Sequence, residues 1–119
     1  YIDKYMSIIN KLSGYCNGIS NIDERNLEQA YIAQNLGYIY YYQKNYQKAK
    51  EQFNVVVLKY NSLLNSTIDS DEVTKLGQCG YYELGYIAYK MGNNTVATTY
   101  YNKAKSILND DYIVSYEGL

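Results

Sequence analysis

Leu36-Gly37-Tyr38-Ile39-Tyr40-Tyr41 recurs 48 residues later as Leu84-Gly85-Tyr86-Ile87-Ala88-Tyr89. The same shift places Asn45 on Asn93, Ala49 on Ala97, Phe53 on Tyr101 and Asn54 on Asn102. A match that persists over this length marks an internal repeat, the signature of architectures built by stacking one unit on the next.

Working outward, each copy divides into two helices by the spacing of its apolar residues. Leu27, Ala30, Ala33, Leu36, Gly37 and Tyr40 recur every three or four positions, the stripe of an amphipathic helix, with Asn21 or Asp23 as its cap. Lys44-Asn45 breaks that pattern. A second stripe follows through Tyr46, Ala49, Phe53, Val56, Val57, Tyr60, Leu63 and Leu64. Ser66 to Ser70 is polar and turn-forming, with Asp69 or Ser70 capping a third helix that carries Val73, Leu76, Tyr81, Leu84, Ile87, Ala88 and Met91. Gly92-Asn93 suits a left-handed helix end, and a fourth helix carries Ala97, Tyr100, Tyr101, Ala104, Ile107 and Leu108. Proline is absent, so no residue locks the backbone against long helices. The expected organisation is a single all-α domain over 1–119. Residues 1–12 form a flanking helix with Ile2, Tyr5, Met6, Ile9 and Leu12 on one face, and Gly14 to Ser20 a loop. Residues 22–64 form the first antiparallel hairpin, 70–109 the second, and 110–119 a tail or the start of a further helix.

Composition excludes several functions. Eleven basic residues stand against 12 acidic ones, which leaves no surplus of positive charge to neutralise phosphates, so no nucleic-acid partner is expected. No apolar run reaches the length of a membrane span, so direct membrane insertion is not expected. Two cysteines, Cys16 and Cys79, are too few for a disulfide scaffold or a metal cage and read as free thiols. Histidine is absent, which removes the commonest general base and metal ligand. Asp69, Asp71 and Glu72 read as a helix cap with favourable charge at a helix start rather than a cation site. Gly77, Gly80 and Gly85 lie within a helix with no strand before them, so they serve close packing rather than phosphate binding. Lys44, Lys48, Lys50 and Lys59 read as a solvated face. No catalytic residue, metal or cofactor is assigned.

At Leu36, Gly37, Tyr40, Tyr46, Ala49, Phe53 and Val56 the chain resembles the tetratricopeptide repeat family. It does so again at Leu84, Gly85, Ala88, Gly92, Ala97, Tyr101 and Ala104. The resemblance implies helical hairpins stacked as a fragment of a right-handed solenoid, with these residues packing the repeats. Gly37 and Ala49 would let one pair of helices approach closely, and Gly85 and Ala97 the other. Leu36, Phe53 and Val56 would fill the space towards the neighbouring pair. The spacing departs from the family's usual repeat of about 34 residues, and the excess between Val56 and Gln78 predicts longer second and third helices. A chain that opens at Tyr1 reads as a processed product or an excised piece, and its two copies as cut from a longer array or as capped by their end helices.

The remaining constellation is aromatic. Tyrosine occurs 18 times, against one phenylalanine and no tryptophan. Tyr31, Gln34, Tyr38, Tyr41 and Tyr42 share one face of the first repeat's first helix, and Cys79, Tyr82, Tyr86, Tyr89 and Lys90 the equivalent face of the second. In the family such positions line the concave groove, so the resemblance implies a tyrosine-paved groove for a peptide or helix of another protein. Tyrosine suits recognition because it offers large contact area at low entropy cost. The expected role is a protein-interaction scaffold without enzymatic activity. The alternatives are a structural, self-associating segment of a longer array and a peptide-sensing regulatory domain. Localisation stays open between the cytoplasm and, after loss of an export signal, a bacterial cell envelope.

Overall fold

The computed structural model describes residues 2–107, all of whose regular structure is helical. The elements are α1 (Ile2–Asn17), α2 (Ile22–Tyr42), α3 (Tyr46–Leu63), α4 (Ser70–Lys90) and α5 (Asn94–Ile107). Each packs against the next in the chain, and α2 also touches α4. The result is two helical hairpins stacked side by side with α1 on the outer flank. Leu108 and the segment 110–119 lie outside the described residues.

The caps explain where helices begin. Side-chain oxygens of Asn21, Asn45 and Asn93 accept from the backbone N–H of Glu24 (3.0 Å), Lys48 (3.3 Å) and Val96 (3.2 Å), and Asp69 accepts from Asp71 (3.3 Å). Each satisfies a donor that the helix start leaves free. Both hairpin turns use one device. In the first, the N–H of Lys44 donates to the Tyr41 carbonyl and that of Asn45 to Tyr40; in the second, Gly92 donates to Tyr89 and Asn93 to Ala88. The pivot residue is left-handed in each, with φ of 60° at Lys44 and 84° at Gly92. Glycine adopts this conformation freely, whereas lysine crowds its Cβ against the backbone. The long spacing of the repeat also finds its cause: α2 and α4 each hold 21 residues and α3 holds 18.

The core runs between α2, α3 and α4, where Phe53, Leu63, Ile87 and Val56 are the largest fully buried side chains. Glycines set the helix separations. A Cβ at Gly37 would stand 2.6–2.9 Å from the Phe53 ring, and one at Gly85 would stand 2.6 Å from the Tyr101 ring and 3.2 Å from the Ala97 carbonyl oxygen. Gly37 therefore accommodates the phenyl ring of Phe53 rather than a bare Ala49 backbone. Between the hairpins, Gly77 lies flat on the Tyr60 ring and Gly80 against Val57 and Val56. The close-packing expectation for these glycines holds. Ala49, Val56, Leu84, Ala88, Ala97 and Ala104 are buried, and Tyr40, Tyr46 and Tyr101 are partly covered. Leu36 is half-buried where its counterpart Leu84 is 2 % exposed, because Leu84 has a complete hairpin before it and Leu36 has only α1.

Two expectations need correction. Gly14 to Asn17 is not loop: α1 continues through it, and Cys16 makes the second buried contact of that helix two turns after Ile9. Of the predicted α1 face, Ile9 is buried, whereas Ile2, Tyr5 and Leu12 remain 36, 55 and 46 % exposed. Lys59 likewise leaves the solvated face, since its ammonium donates to Asn26 at 3.1 Å and Gln29 at 2.8 Å and ties α3 to α2.

Candidate partner-docking face

The tyrosine faces of α2 and α4 meet across the boundary between the hairpins, and their side chains divide into two groups. The first forms a polar seam. The Tyr31 hydroxyl donates to Glu72 at 2.5 Å, the Gln34 amide donates to the Cys79 sulfur at 3.2 Å, and the Tyr38 hydroxyl pairs with that sulfur at 3.3 Å. The Tyr38 ring also meets Phe53 edge-on, with centroids 5.3 Å apart. Tyr31, Gln34 and Tyr38, expected to line a groove, are thus engaged in holding α2 on α4.

The second group forms a continuous aromatic surface. Tyr41 reaches from α2 to Tyr86 on α4 with ring centroids 5.6 Å apart. Tyr86 stacks on Tyr82 at 6.3 Å and on Tyr89 at 6.4 Å, and Tyr82 continues to Tyr101 on α5 at 5.7 Å. Tyr42 extends the surface from Tyr41 at 5.8 Å. Lys90 lies over the Tyr86 ring, 5.3 Å from its centroid, a cation–π arrangement. Tyr42 and Tyr89 are 76 and 50 % exposed, so the apolar area is open to solvent.

Burial governs the electrostatics. Desolvation pushes the Tyr31, Tyr38, Tyr41 and Tyr82 hydroxyls upward, Tyr101 to about 12 and the Cys79 thiol to about 11. These groups are neutral hydrogen-bonding partners near neutral pH, and Cys79 is not a thiolate nucleophile there. Tyr86 moves the other way, chiefly through the Tyr41 hydrogen bond and then through Lys90.

One charged residue on this face escaped the sequence reading. Glu83 is half-buried between Tyr82 and Tyr86 in the chain, and burial alone pushes its carboxyl up to about 7. It acts electrostatically on Tyr38 and Tyr41 from α2, on Cys79, Tyr82 and Tyr86 from α4, and on Tyr101 from α5. Helical spacing carried the signal, because residue 83 follows Cys79 by four and precedes Tyr86 by three. Its burial could not be read from spacing.

Asp69 and Glu72, neighbours in the chain, serve different ends. Asp69 caps α4 and Glu72 accepts from Tyr31. Cys16 and Cys79 are free thiols. Among the described residues no group of three or more His, Cys, Asp or Glu side chains could hold a metal ion, and no helix is long and apolar enough to cross a membrane.

A family model described as tetratricopeptide repeat matches residues 29–56 and 80–110. The unmatched stretch between them, residues 57–79, spans the end of α3, the turn and the opening turns of α4, which is where the repeat exceeds the family's usual length. No curated protein and no solved structure matches the chain.

Proposed function

The chain belongs to the tetratricopeptide-like repeat family, whose repeats generally mediate protein–protein interactions, and from that premise we propose that it is a non-enzymatic scaffold docking an apolar peptide or helix of a partner on the Tyr41–Tyr42–Tyr82–Tyr86–Tyr89 surface. The observation that carries this reading is the unbroken run of rings from α2 through α4 to α5. Rigid aromatic side chains of this kind anchor protein interfaces, where a few such residues supply most of the affinity. An apolar segment with helical or extended backbone fits such a surface.

The test selects binders from a random 16-residue peptide library against the 119-residue chain. Tyr42→Ala with Tyr89→Ala is the discriminating variant, because both rings are exposed and neither supports the core. Binding of selected peptides should weaken about tenfold or more, with helicity by far-UV circular dichroism unchanged. Selected peptides that bind the variant as well as the parent would sink the reading. A second reading, a structural segment that self-associates, is favoured by the apolar residues left open on α1, namely Ile2, Tyr5, Ile8, Leu12 and Tyr15. Light scattering separates the two, since a dimer or larger species at micromolar concentration supports assembly.

A further inference from the structure

The shift of 48 residues that relates the two hairpins also runs backwards into α1. It carries Ser70, the first residue of α4, onto Ile22, the first of α2, and the cap Asp69 onto the cap Asn21. On the preceding helix it carries Phe53, Val56, Tyr60 and Leu63 of α3 onto Tyr5, Ile8, Leu12 and Tyr15 of α1. The same step forward takes Phe53 to Tyr101 of α5, so α1, α3 and α5 hold an aromatic ring at one position. α1 therefore has the place of a hairpin's closing helix, and α2 follows it as α4 follows α3. The difference is cover. Phe53, Val56, Tyr60 and Leu63 are buried, whereas Tyr5, Ile8, Leu12 and Tyr15 all stay exposed, Tyr15 by 77 %. For α3 and α5 the opening helix of the hairpin supplies the cover: the Phe53 ring lies against Gly37 of α2, and the Tyr101 ring against Gly85 of α4. A cavity of about 440 Å³ opens at the corresponding place between α1 and α2, lined by Ile2, Tyr5, Asn35, Tyr38, Ile39 and Tyr42. One repeat further on, the counterparts of Tyr5 and Ile39 are Phe53 and Ile87, both fully buried.

We propose that the open face of α1 is the docking site of one more opening helix, which precedes α1 in the polypeptide and lies on it as α2 lies on α3. This goes beyond the tyrosine surface and does not depend on it. The chemistry of the occupant follows from the repeat. It carries a glycine where the Tyr5 ring lands, because an added Cβ would stand 2.6 Å from the ring at both Gly37 and Gly85. It is amphipathic, with an apolar stripe that meets Ile8, Leu12 and Tyr15. Its source follows from connectivity: α3 and α5 each take their opening helix from the residues just ahead, across the turns 43–45 and 91–93. A second copy of the chain offers no such helix. Among the described residues the opening helices are α2 and α4, and each is already packed on the helix that follows it.

The test places a copy of residues 22–48 directly ahead of Tyr1 in the full chain, which sets the added helix in the register that α2 has on α3. Each interface between neighbours adds to the stability of a stacked array, so the extended chain should melt about 5 °C or more above the parent. Amide exchange in residues 8–15 should slow about tenfold or more. Gly37→Leu in the added copy alone should abolish both gains, since the larger side chain overlaps the Tyr5 ring. An extended chain that gains nothing or loses cooperative unfolding overturns the proposal, as do equal gains with the Gly37→Leu copy. A parent chain that is dimeric by light scattering, with residues 8–15 already protected, also overturns it, because a second copy then covers the face.

Discussion

Gly37→Ala is the sharpest probe of how the hairpins are built. Alanine in a helix interior is favoured over glycine by about 1 kcal/mol, so propensity alone makes this substitution stabilising. The structure reverses the sign. The added methyl would stand 2.6, 2.7 and 2.9 Å from Cε2, Cζ and Cδ2 of Phe53, where carbon atoms prefer roughly 3.5–4.0 Å. Phe53 is fully buried, and the Tyr38 ring stands edge-on to it at 5.3 Å, so the phenyl ring cannot swing aside. Overpacking of this kind costs about 2–3 kcal/mol. Net of the propensity gain, Gly37→Ala should lose about 1–2 kcal/mol. Phe53→Leu alone should also destabilise, by about 1–2 kcal/mol, through the volume it removes. The double variant should be better than the sum, with a favourable coupling of about 1 kcal/mol or more, because the smaller side chain makes room for the methyl. Urea denaturation followed by circular dichroism gives all four corners of the cycle. A stabilised Gly37→Ala, or strictly additive effects, would mean that α2 and α3 do not meet at this glycine.

Other outcomes follow from single features. Gly14→Ala should stabilise α1 by about 1 kcal/mol, since nothing lies within 4 Å of the new Cβ; slower amide exchange in Ile9–Asn17 checks it, and a loop there would show no gain. Lys44→Gly should raise stability by about 1 kcal/mol by relieving the left-handed backbone at φ 60°, read as a higher denaturation midpoint; a loss would contradict the turn geometry. Glu83 holds its proton to about pH 7 when folded against an ordinary value of 4.5. Unfolding therefore releases that proton between those limits, so its contribution is intact below pH 4.5 and disappears as pH rises through 7. The loss should amount to about 2–3 kcal/mol after allowance for partial exposure. Glu83→Gln should flatten this slope and melt above the parent at pH 8; parallel stability curves for the two would show the carboxyl to be solvated. The thiols and hydroxyls facing Glu83, of Cys79, Tyr38, Tyr41, Tyr82 and Tyr101, are all shifted upward and do not titrate in this window, while Tyr86 is shifted downward by Tyr41 and Lys90.

Much of the helical order was legible residue by residue. Of the caps offered, Asn21 or Asp23 and Asp69 or Ser70, it is Asn21 and Asp69 that cap α2 and α4, and Gly92 takes the left-handed turn expected at Gly92-Asn93. The doubled Leu-Gly motif pointed to two equivalent hairpins. The structure extends that equivalence further than the letters do: α2 and α4 share length and register over 21 residues, although their opening turns, Ile22–Gln29 and Ser70–Gly77, have little in common. Sequence matching sees identities, whereas equivalent helix ends require only that a cap and a turn recur at the same spacing.

The candidate site was legible as a face and not as an environment. Tyr31, Gln34 and Tyr38 carry the same spacing signal as Tyr41, Tyr82 and Tyr86, yet the first three are tied by hydrogen bonds between α2 and α4 while the others form a half-buried run of rings. Glu83 carried no chemical mark beyond its position, and Gly14 argued for a loop that the contact of Cys16 with its neighbours overrides. Helix periodicity, caps and turns depend on residues within four or five places of one another, so the amino-acid order alone determined the paired helices and which face each tyrosine occupies. Which of those tyrosines are consumed in a seam, how far a carboxyl is withdrawn from water and where a glycine must admit a ring depend on segments tens of residues away. Only the stacking of one hairpin on the other decides them, because desolvation and steric contact exist between elements and not within one.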